Sequence, residues 1–410
     1  MPEEFHIESL PNGITLLGQR MEGVASAAMT FVARAGSAYD PAELGGAAAV
    51  ASEWCLRGAG SRDTRELNDA LDGLGCQHHE GVQSEHMQFA CVQLGRNLPA
   101  VMRLYADILR RPTLGEDTFT PCRDLIAQDL VGLEDEPARN CNVMLREKFY
   151  PWPLGRNPYG QAEALQAMTA GALREHLRGR LTPEGAILAV AGDVDWEAFR
   201  DLAAQLLGDW KAPSGPGPSL RAGQSGTTHV TKESAQTHIA LAHKAVPAGD
   251  DRFYAAHMAQ MVLSGGMSSR LFSEVREKRG LAYHVSTRYH SLRDHAGFFT
   301  YAAAPPQRAQ ETFDVTVGEL RRLGEAIEPD EMNRAVVQLK SSLVMQGEST
   351  MARVNAMAAD WYFIGRLRGL EELSRRIEQT SVEEVLAYLQ EFPAEHFTVL
   401  TLGPEPLQTE

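Results

Sequence analysis

The chain has 410 residues, 43% of them hydrophobic and 23% charged, with 36 Gly and 21 Pro, which allows about two to four domains and excludes both a single small module and a low-complexity chain. Its formal net charge of -15, from 39 Lys plus Arg against 54 Asp plus Glu, repels phosphate and acidic lipid surfaces, so neither nucleic acid nor a membrane surface is an expected partner. Five cysteines, Cys55, Cys76, Cys91, Cys122 and Cys141, form no C-x-x-C pair, which argues against a disulfide framework and a cysteine zinc site and predicts reduced thiols.

The chain opens Met1-Pro2-Glu3-Glu4, without a basic region leading into an apolar run, and no stretch of about 18 apolar residues follows anywhere. The expected compartment is the cytoplasm. Ala27 to Gly36 reads as a strand, and a helical stretch starts near Gly45. A short helix follows, then two β-like runs within Gly75 to Leu94, a turn at Gly95-Arg96-Asn97 and a long helix from Leu98 to Arg110. The run Ala186 to Gly192 is an apolar strand closed by glycine. Lys211 to Pro218 and Arg221 to Gly226 are rich in Pro, Gly and Ser, which suit neither helix nor strand.

Beyond that segment the order recurs. His238 to Ala245 reads as a strand and Arg252 to Leu263 as a helix. Two β-like runs within Ala282 to Ala304, a turn at Pro305-Pro306-Gln307, a long helix from Ala309 to Leu323 and a closing strand from His396 to Gly403 complete the second copy. The glycines of Leu263-Ser264-Gly265-Gly266-Met267-Ser268-Ser269 lack the spacing of a phosphate loop and read as a turn. The predicted fold class is α+β, with two similar halves, each a mainly antiparallel sheet with helices packed on one face. The expected domains are 1–212, a linker over 213–226, and 227–410.

Several motifs then fall in one order: Leu10-Pro11-Asn12-Gly13-Ile14, Arg34 to Asp40, Tyr150 to Gly160, and Gly265 to Phe272 followed by Val275 to Tyr283. Together with the duplicated halves, this order resembles the insulinase or pitrilysin-type metallopeptidases, the inverted zincins, over essentially the whole chain. Relatives in that family include the mitochondrial processing peptidase and the core proteins of the cytochrome bc1 complex. The family's chemistry uses H-x-x-E-H on a helix, where spacing by four sets two imidazoles on one face to hold zinc and the Glu activates the bound water. Anchored on Leu56-Arg57-Gly58, the five motif positions here are Ala49-Val50-Ala51-Ser52-Glu53. Both histidines and the general base are replaced. The third ligand position, before the turn Glu134-Asp135-Glu136-Pro137, falls on Asp129. Glu53 and Asp129 alone make a poor zinc site, because catalytic zinc takes at least two imidazole or thiolate donors in most sites.

The densest histidine group, His78-His79-Glu80 with Glu85-His86, offers no substitute. As one extended strand, His78 and His86 share a face but lie about 26 Å apart at roughly 3.3 Å per residue. Where His79 and Glu80 stand, active relatives carry an Asn-Ala pair on the edge strand that meets the peptide. The resemblance implies that Arg276 and Tyr283 of the second half contact bound peptide near the scissile carbonyl, where a cation and a phenol can stabilise developing negative charge.

The implied function is that of a non-catalytic subunit of a heterodimeric zinc metallopeptidase. Such a chain holds no cofactor of its own, and zinc is expected in a homologous partner that carries H-x-x-E-H. A peptide or unfolded protein is the expected substrate. The alternative is a scaffold subunit of a larger assembly, like the bc1 core proteins. A third possibility is a stand-alone enzyme with a shifted site built on Glu53, Asp129 and nearby histidines.

Overall fold

The computed structural model describes residues 3–409. In chain order, its first elements are β1 (Phe5–Ser9), β2 (Thr15–Arg20), β3 (Ser26–Ala33), α1 (Ala47–Trp54), α2 (Thr64–Gly73), β4 (Gln77–Val82) and β5 (Met87–Leu94). Then come α3 (Leu98–Arg110), α4 (Glu116–Gly132), α5 (Pro137–Phe149), α6 (Ala162–Ala167), α7 (Ala170–Arg178), β6 (Ile187–Gly192) and α8 (Trp196–Leu207). The rest of the chain forms β7 (Thr227–Thr231), β8 (Thr237–Ala245), α9 (Phe253–Ser264), β9 (His284–Ser291), β10 (Ala296–Ala304), α10 (Ala309–Arg322) and α11 (Pro329–Gly347). It closes with α12 (Thr350–Ile364), α13 (Leu370–Gln379), α14 (Val382–Glu391) and β11 (Thr398–Gly403).

Two compact units result, each discontinuous in sequence. Unit one combines residues 1–132, 156–219 and 346–368, and unit two combines 133–155, 220–345 and 369–410. The sheet of unit one runs β1-β2-β6-β3-β5-β4 and that of unit two β7-β11-β8-β10-β9. Both follow one plan. The pairs β2–β6 and β7–β11 are parallel, and every other neighbouring pair is antiparallel. This is the expected α+β class with two similar, mainly antiparallel halves.

Side-chain alternation along the central strands explains the layers. In unit one, Met29, Phe31, Leu188 and Val190 turn to the core beneath α1 and α3. Leu17, Ala28, Val32, Ile187 and Ala189 turn the other way and meet Val354, Met357 and Ala358 of α12. A strand buried on both faces has no need of polar alternation, which accounts for the unbroken apolar run of β6 and the near-continuous one of β3, where Thr30 is the one polar residue inside the strand. Unit two repeats the device with α5. There Ile239, Leu241 and Phe298 face the main core, while Phe299 on the opposite face packs against Phe149, with ring centroids 5.2 Å apart. Gly297 permits that approach, because a Cβ there would stand 2.6 Å from the Phe149 ring. Each sheet thus carries most of its helices on one face and a single sequence-distant helix on the other.

Candidate functional site

The motif helix α1 is built from its N-terminus upward. Gly46 sits at φ +95°, a left-handed conformation, and a Cβ there would meet the Tyr159 carbonyl oxygen at 2.7 Å. Asp40 is buried and its carboxylate accepts from the backbone N–H groups of Gly46 at 3.2 Å and Ala48 at 3.1 Å. Burial raises the Asp40 carboxyl above its ordinary value, and His176, with Nε2 at 3.5 Å, opposes that shift. The Arg156 guanidinium donates to the carbonyl oxygens of Ser37 and Asp40. Segments 34–40 and 156–160, which the sequence marks as separate motifs, therefore meet at the base of one helix and hold it in place.

The helix itself presents no metal chemistry. Ala49 and Ser52 are buried, and the Ser52 hydroxyl donates to the Ala49 carbonyl at 2.8 Å. Position 53 lies one turn beyond position 49, as the motif requires, but Glu53 pairs with Arg57 at 3.3 Å across a third-exposed surface. Burial raises the Cys122 thiol on α4 above its ordinary pKa, and the facing Arg57 opposes that shift. Asp129 is exposed on the same helix, seven residues from Cys122, which is about 10 Å along the axis. Among the described residues no group of three or more His, Cys, Asp or Glu side chains is placed to hold a metal ion. An alanine methyl and a serine hydroxyl already bonded to its own helix do not fit a zinc ion. What α1 does instead is pack: Trp54 is fully buried, its Nε1 donates to the Gly115 carbonyl at 3.1 Å and to Thr118 Oγ1 at 3.0 Å, and its ring meets Phe119 at 5.2 Å.

The neighbouring edge strand β4 carries the histidine group. His78 and Glu80 share a face of β4, and His78 Nδ1 lies 3.1 Å from the Glu80 carboxylate. That carboxylate raises the His78 pKa. The extended-strand separation of His78 and His86 does not describe the chain, because it turns back at 83–86, where Gln83 N–H donates to the His86 carbonyl at 2.8 Å. His86 sits at this bend between β4 and β5, its ring 5.1 Å from that of Tyr362, and burial lowers its pKa to about 4.

Unit two holds the other candidate pair. Gly265 and Gly266 end α9 against α11, where a Cβ at either would stand within 2.7 Å of the Gln338 side-chain amide. Buried Arg270 forms two parallel bonds to the Glu331 carboxylate, at 2.7 and 2.6 Å, and donates to the Ala326 carbonyl. This anchored loop leads into a wide, π-type turn over Phe272–Glu277, a geometry frequent at functional sites. Glu274 fixes the turn by pairing with Lys278 at 2.6 Å and Arg279 at 2.5 Å. These two cations, Lys278 first, hold the Glu274 carboxyl down to about 2.

The turn brings Arg276 over two rings, 4.5 Å from the centroid of Tyr283 and 4.7 Å from that of Phe272. Tyr283 is 78% exposed although its neighbours Leu281 and Ala282 are buried. Arg276 and Tyr283, seven residues apart, are thus adjacent at the surface with the guanidinium oriented by aromatic faces. Phe272 closes the Gly265 to Phe272 motif, but the sequence motif assigns it no role at the site. Its signal was the spacing of four to Arg276 within a helical run.

A family model described as insulinase, peptidase family M16, matches residues 17–158, and one described as the peptidase M16 inactive domain matches residues 167–339. A protein of Mycobacterium tuberculosis named an uncharacterized zinc protease is 29% identical over 405 residues, covering 97% of this chain and 92% of its own. One of the same description from Rickettsia felis is 25% identical over 417 residues, covering all of both chains. Among solved structures, a protease from Helicobacter pylori superposes with a TM-score of 0.91 at 19% identity, over 99% of this chain and 100% of its own. The peptidase M16 inactive domain from Pseudomonas fluorescens superposes with a TM-score of 0.89 at 20% identity, over 99% of each chain. At these identities the structural likeness establishes the fold.

Proposed function

Because this chain belongs to the insulinase family, peptidase family M16, and lacks the family's zinc site, we propose that it is the non-catalytic subunit of a heterodimeric zinc metallopeptidase. It binds peptide for hydrolysis at the zinc of a homologous partner that carries H-x-x-E-H. The single observation that carries this reading is the exposed Tyr283 with Arg276 stacked on it. The core has no use for an aromatic ring left 78% exposed, whereas a peptide carbonyl that gains negative charge in a tetrahedral transition state does. Arg276 contributes the cation and Tyr283 the phenol donor. Water activation and nucleophilic attack belong to the partner, since Ala49 and Ser52 can supply neither.

The edge strands support peptide capture as well. β4 and β9 each end a sheet with one side of the backbone unpaired within its sheet, an arrangement that accepts an extended peptide as an added strand with little side-chain selectivity. The acidic balance of the chain favours basic peptides. Cytoplasmic placement is part of this proposal; no helix among the described residues is long and apolar enough to cross a membrane.

The test mixes the purified chain with a family partner that carries H-x-x-E-H and follows cleavage of a quenched fluorescent peptide. The chain alone is expected to give no cleavage, and the mixture to restore it. Arg276→Ala and Tyr283→Phe should each lower kcat/KM of the mixture by about tenfold to a hundredfold, the range for loss of a transition-state donor of modest strength. Full activity in both variants would overturn the assigned role and leave the scaffold reading, in which Tyr283 and Phe272 serve only to pack Arg276.

A further inference from the structure

Unit one contains a cleft of about 640 Å³ between the C-terminal ends of α3 and α7 and the chain just after α8. Its apolar floor includes Leu177, Leu181 and Trp210, and its walls carry Arg110, Arg111, Arg174, Arg178 and Lys211. Asp209 is the one carboxylate among the lining residues. In a chain of net charge -15, five cations around one apolar cleft are a local reversal of sign.

Three of the four arginines are held in place but not used up. Arg110 pairs with Asp209 at 2.8 Å, Arg174 with Glu116 at 2.8 Å, and Arg178 with Glu175 at 2.8 Å. Those three carboxylates are each about three-quarters exposed, so the pairs are weak and exchangeable in water, whereas Arg111 is held by the mostly buried Asp107. Arg174 is further fixed by donating to the Leu114 carbonyl at 3.0 Å and by lying 5.3 Å from the centroid of the buried Trp54 ring. Lys211 has no carboxylate partner among the described residues. The cleft therefore offers oriented guanidinium groups, a free ammonium and an apolar floor lining one cavity.

We propose that this cleft docks an acidic segment of a protein partner, with an apolar side chain on the floor and flanking carboxylates on the cationic walls. Charge complementarity argues for this occupant: a carboxylate on each side of one apolar residue matches the cation-floor-cation order, and guanidinium binds carboxylate through paired N–H donors. The site is separate from the Arg276 and Tyr283 pair and is complete within unit one, so it does not depend on the proposed subunit role.

The test measures binding of a fluorescein-labelled peptide, Glu-Glu-Leu-Glu-Glu, to the full chain alone by fluorescence anisotropy, with Lys-Lys-Leu-Lys-Lys as the control. The acidic peptide is expected to bind at least about tenfold more tightly than the basic one and to weaken as ionic strength rises. Arg178→Glu with Lys211→Glu should weaken it by about tenfold or more, since two attractive surface charges become repulsive. Both residues are exposed, and the milder Arg178→Gln with Lys211→Gln guards against a folding defect. Equal binding of the two peptides, unchanged binding in both double variants, or complete displacement by millimolar octanoate or inorganic phosphate, which would mark a small-anion site, would each overturn the proposal.

Discussion

The helical segments that follow the central strand are used in opposite ways by the two units. In unit one, α1 turns its motif positions inward: Ala49 and Ser52 are buried, and Trp54 locks the helix against α4. In unit two, the passage after α9 widens into the turn that sets Arg276 and Tyr283 at the surface. Small side chains suit a packed helix and demand no ligand, so loss of the metal residues costs unit one nothing in packing. An exposed stacked pair gains unit two little stability. The difference teaches that a helix whose side chains face inward folds without any metal chemistry, while the exposed Arg276 and Tyr283 pair is not demanded by packing.

The sharpest way to break that contrast is at Trp54. Trp54→Ala should destabilise the protein by about 3–5 kcal/mol through lost burial and an unfilled cavity, read from urea denaturation. A loss below about 1 kcal/mol, the level of an ordinary surface change, would mean that α1 is not held by packing.

Acid should act more strongly on unit two. Burial lowers His243 to about 4 and His290 to about 3, and lowers His238 as well, whereas His86 is the corresponding case in unit one. A histidine with a depressed folded pKa takes up its proton more readily in the unfolded chain. Its contribution is full above about pH 6.5 and is lost as pH falls toward about 4. For His243, packed between Phe298 and Phe397, that loss amounts to about 3 kcal/mol. Glu274 continues the trend, since its stabilising charge is lost as pH falls from 4.5 toward about 2. His243→Leu should flatten the dependence of the urea midpoint on pH between 6.5 and 4, and an unchanged slope would refute it.

The smallest effect is expected at Glu53. Glu53→Ala removes a partly exposed i,i+4 pair with Arg57 and should change stability by less than about 0.5 kcal/mol. Metal content of the purified chain, measured by emission spectrometry, should not change. A fall in bound metal on this substitution would restore the shifted-site reading.

Much of this was legible in the sequence. The strands at 27–36, 186–192 and 238–245, the long helices at 98–110 and 309–323 and the repeated order all follow from local periodicity, which the chain carries within each element. The empty motif at Ala49, Ser52 and Glu53 was readable because a short fixed spacing defines it. The placement of α5 and α12 was not, since their amphipathic patterns show that they pack somewhere without saying on which sheet. Nor was the bend at 83–86, where Gln83, Ser84 and Glu85 contain no Gly or Pro to announce a turn. The pairing of Asp40 with Arg156 is not legible in the sequence, because they are more than a hundred residues apart and the guanidinium donates to a backbone carbonyl, which no residue type announces.

The position of α12 has a consequence for the newly made chain. The second face of the first sheet, with Leu17, Val32 and Ile187, stays uncovered until a helix arrives that begins about 160 residues after β6. At a synthesis rate of about 5–20 residues per second, that is roughly ten to thirty seconds of translation. During this interval an apolar strand face stands open beside the ribosome, a surface suited to a chaperone and hazardous among other unfinished chains. Completion of the first unit is thereby timed by synthesis of the second, and a product truncated before residue 350 retains that open face.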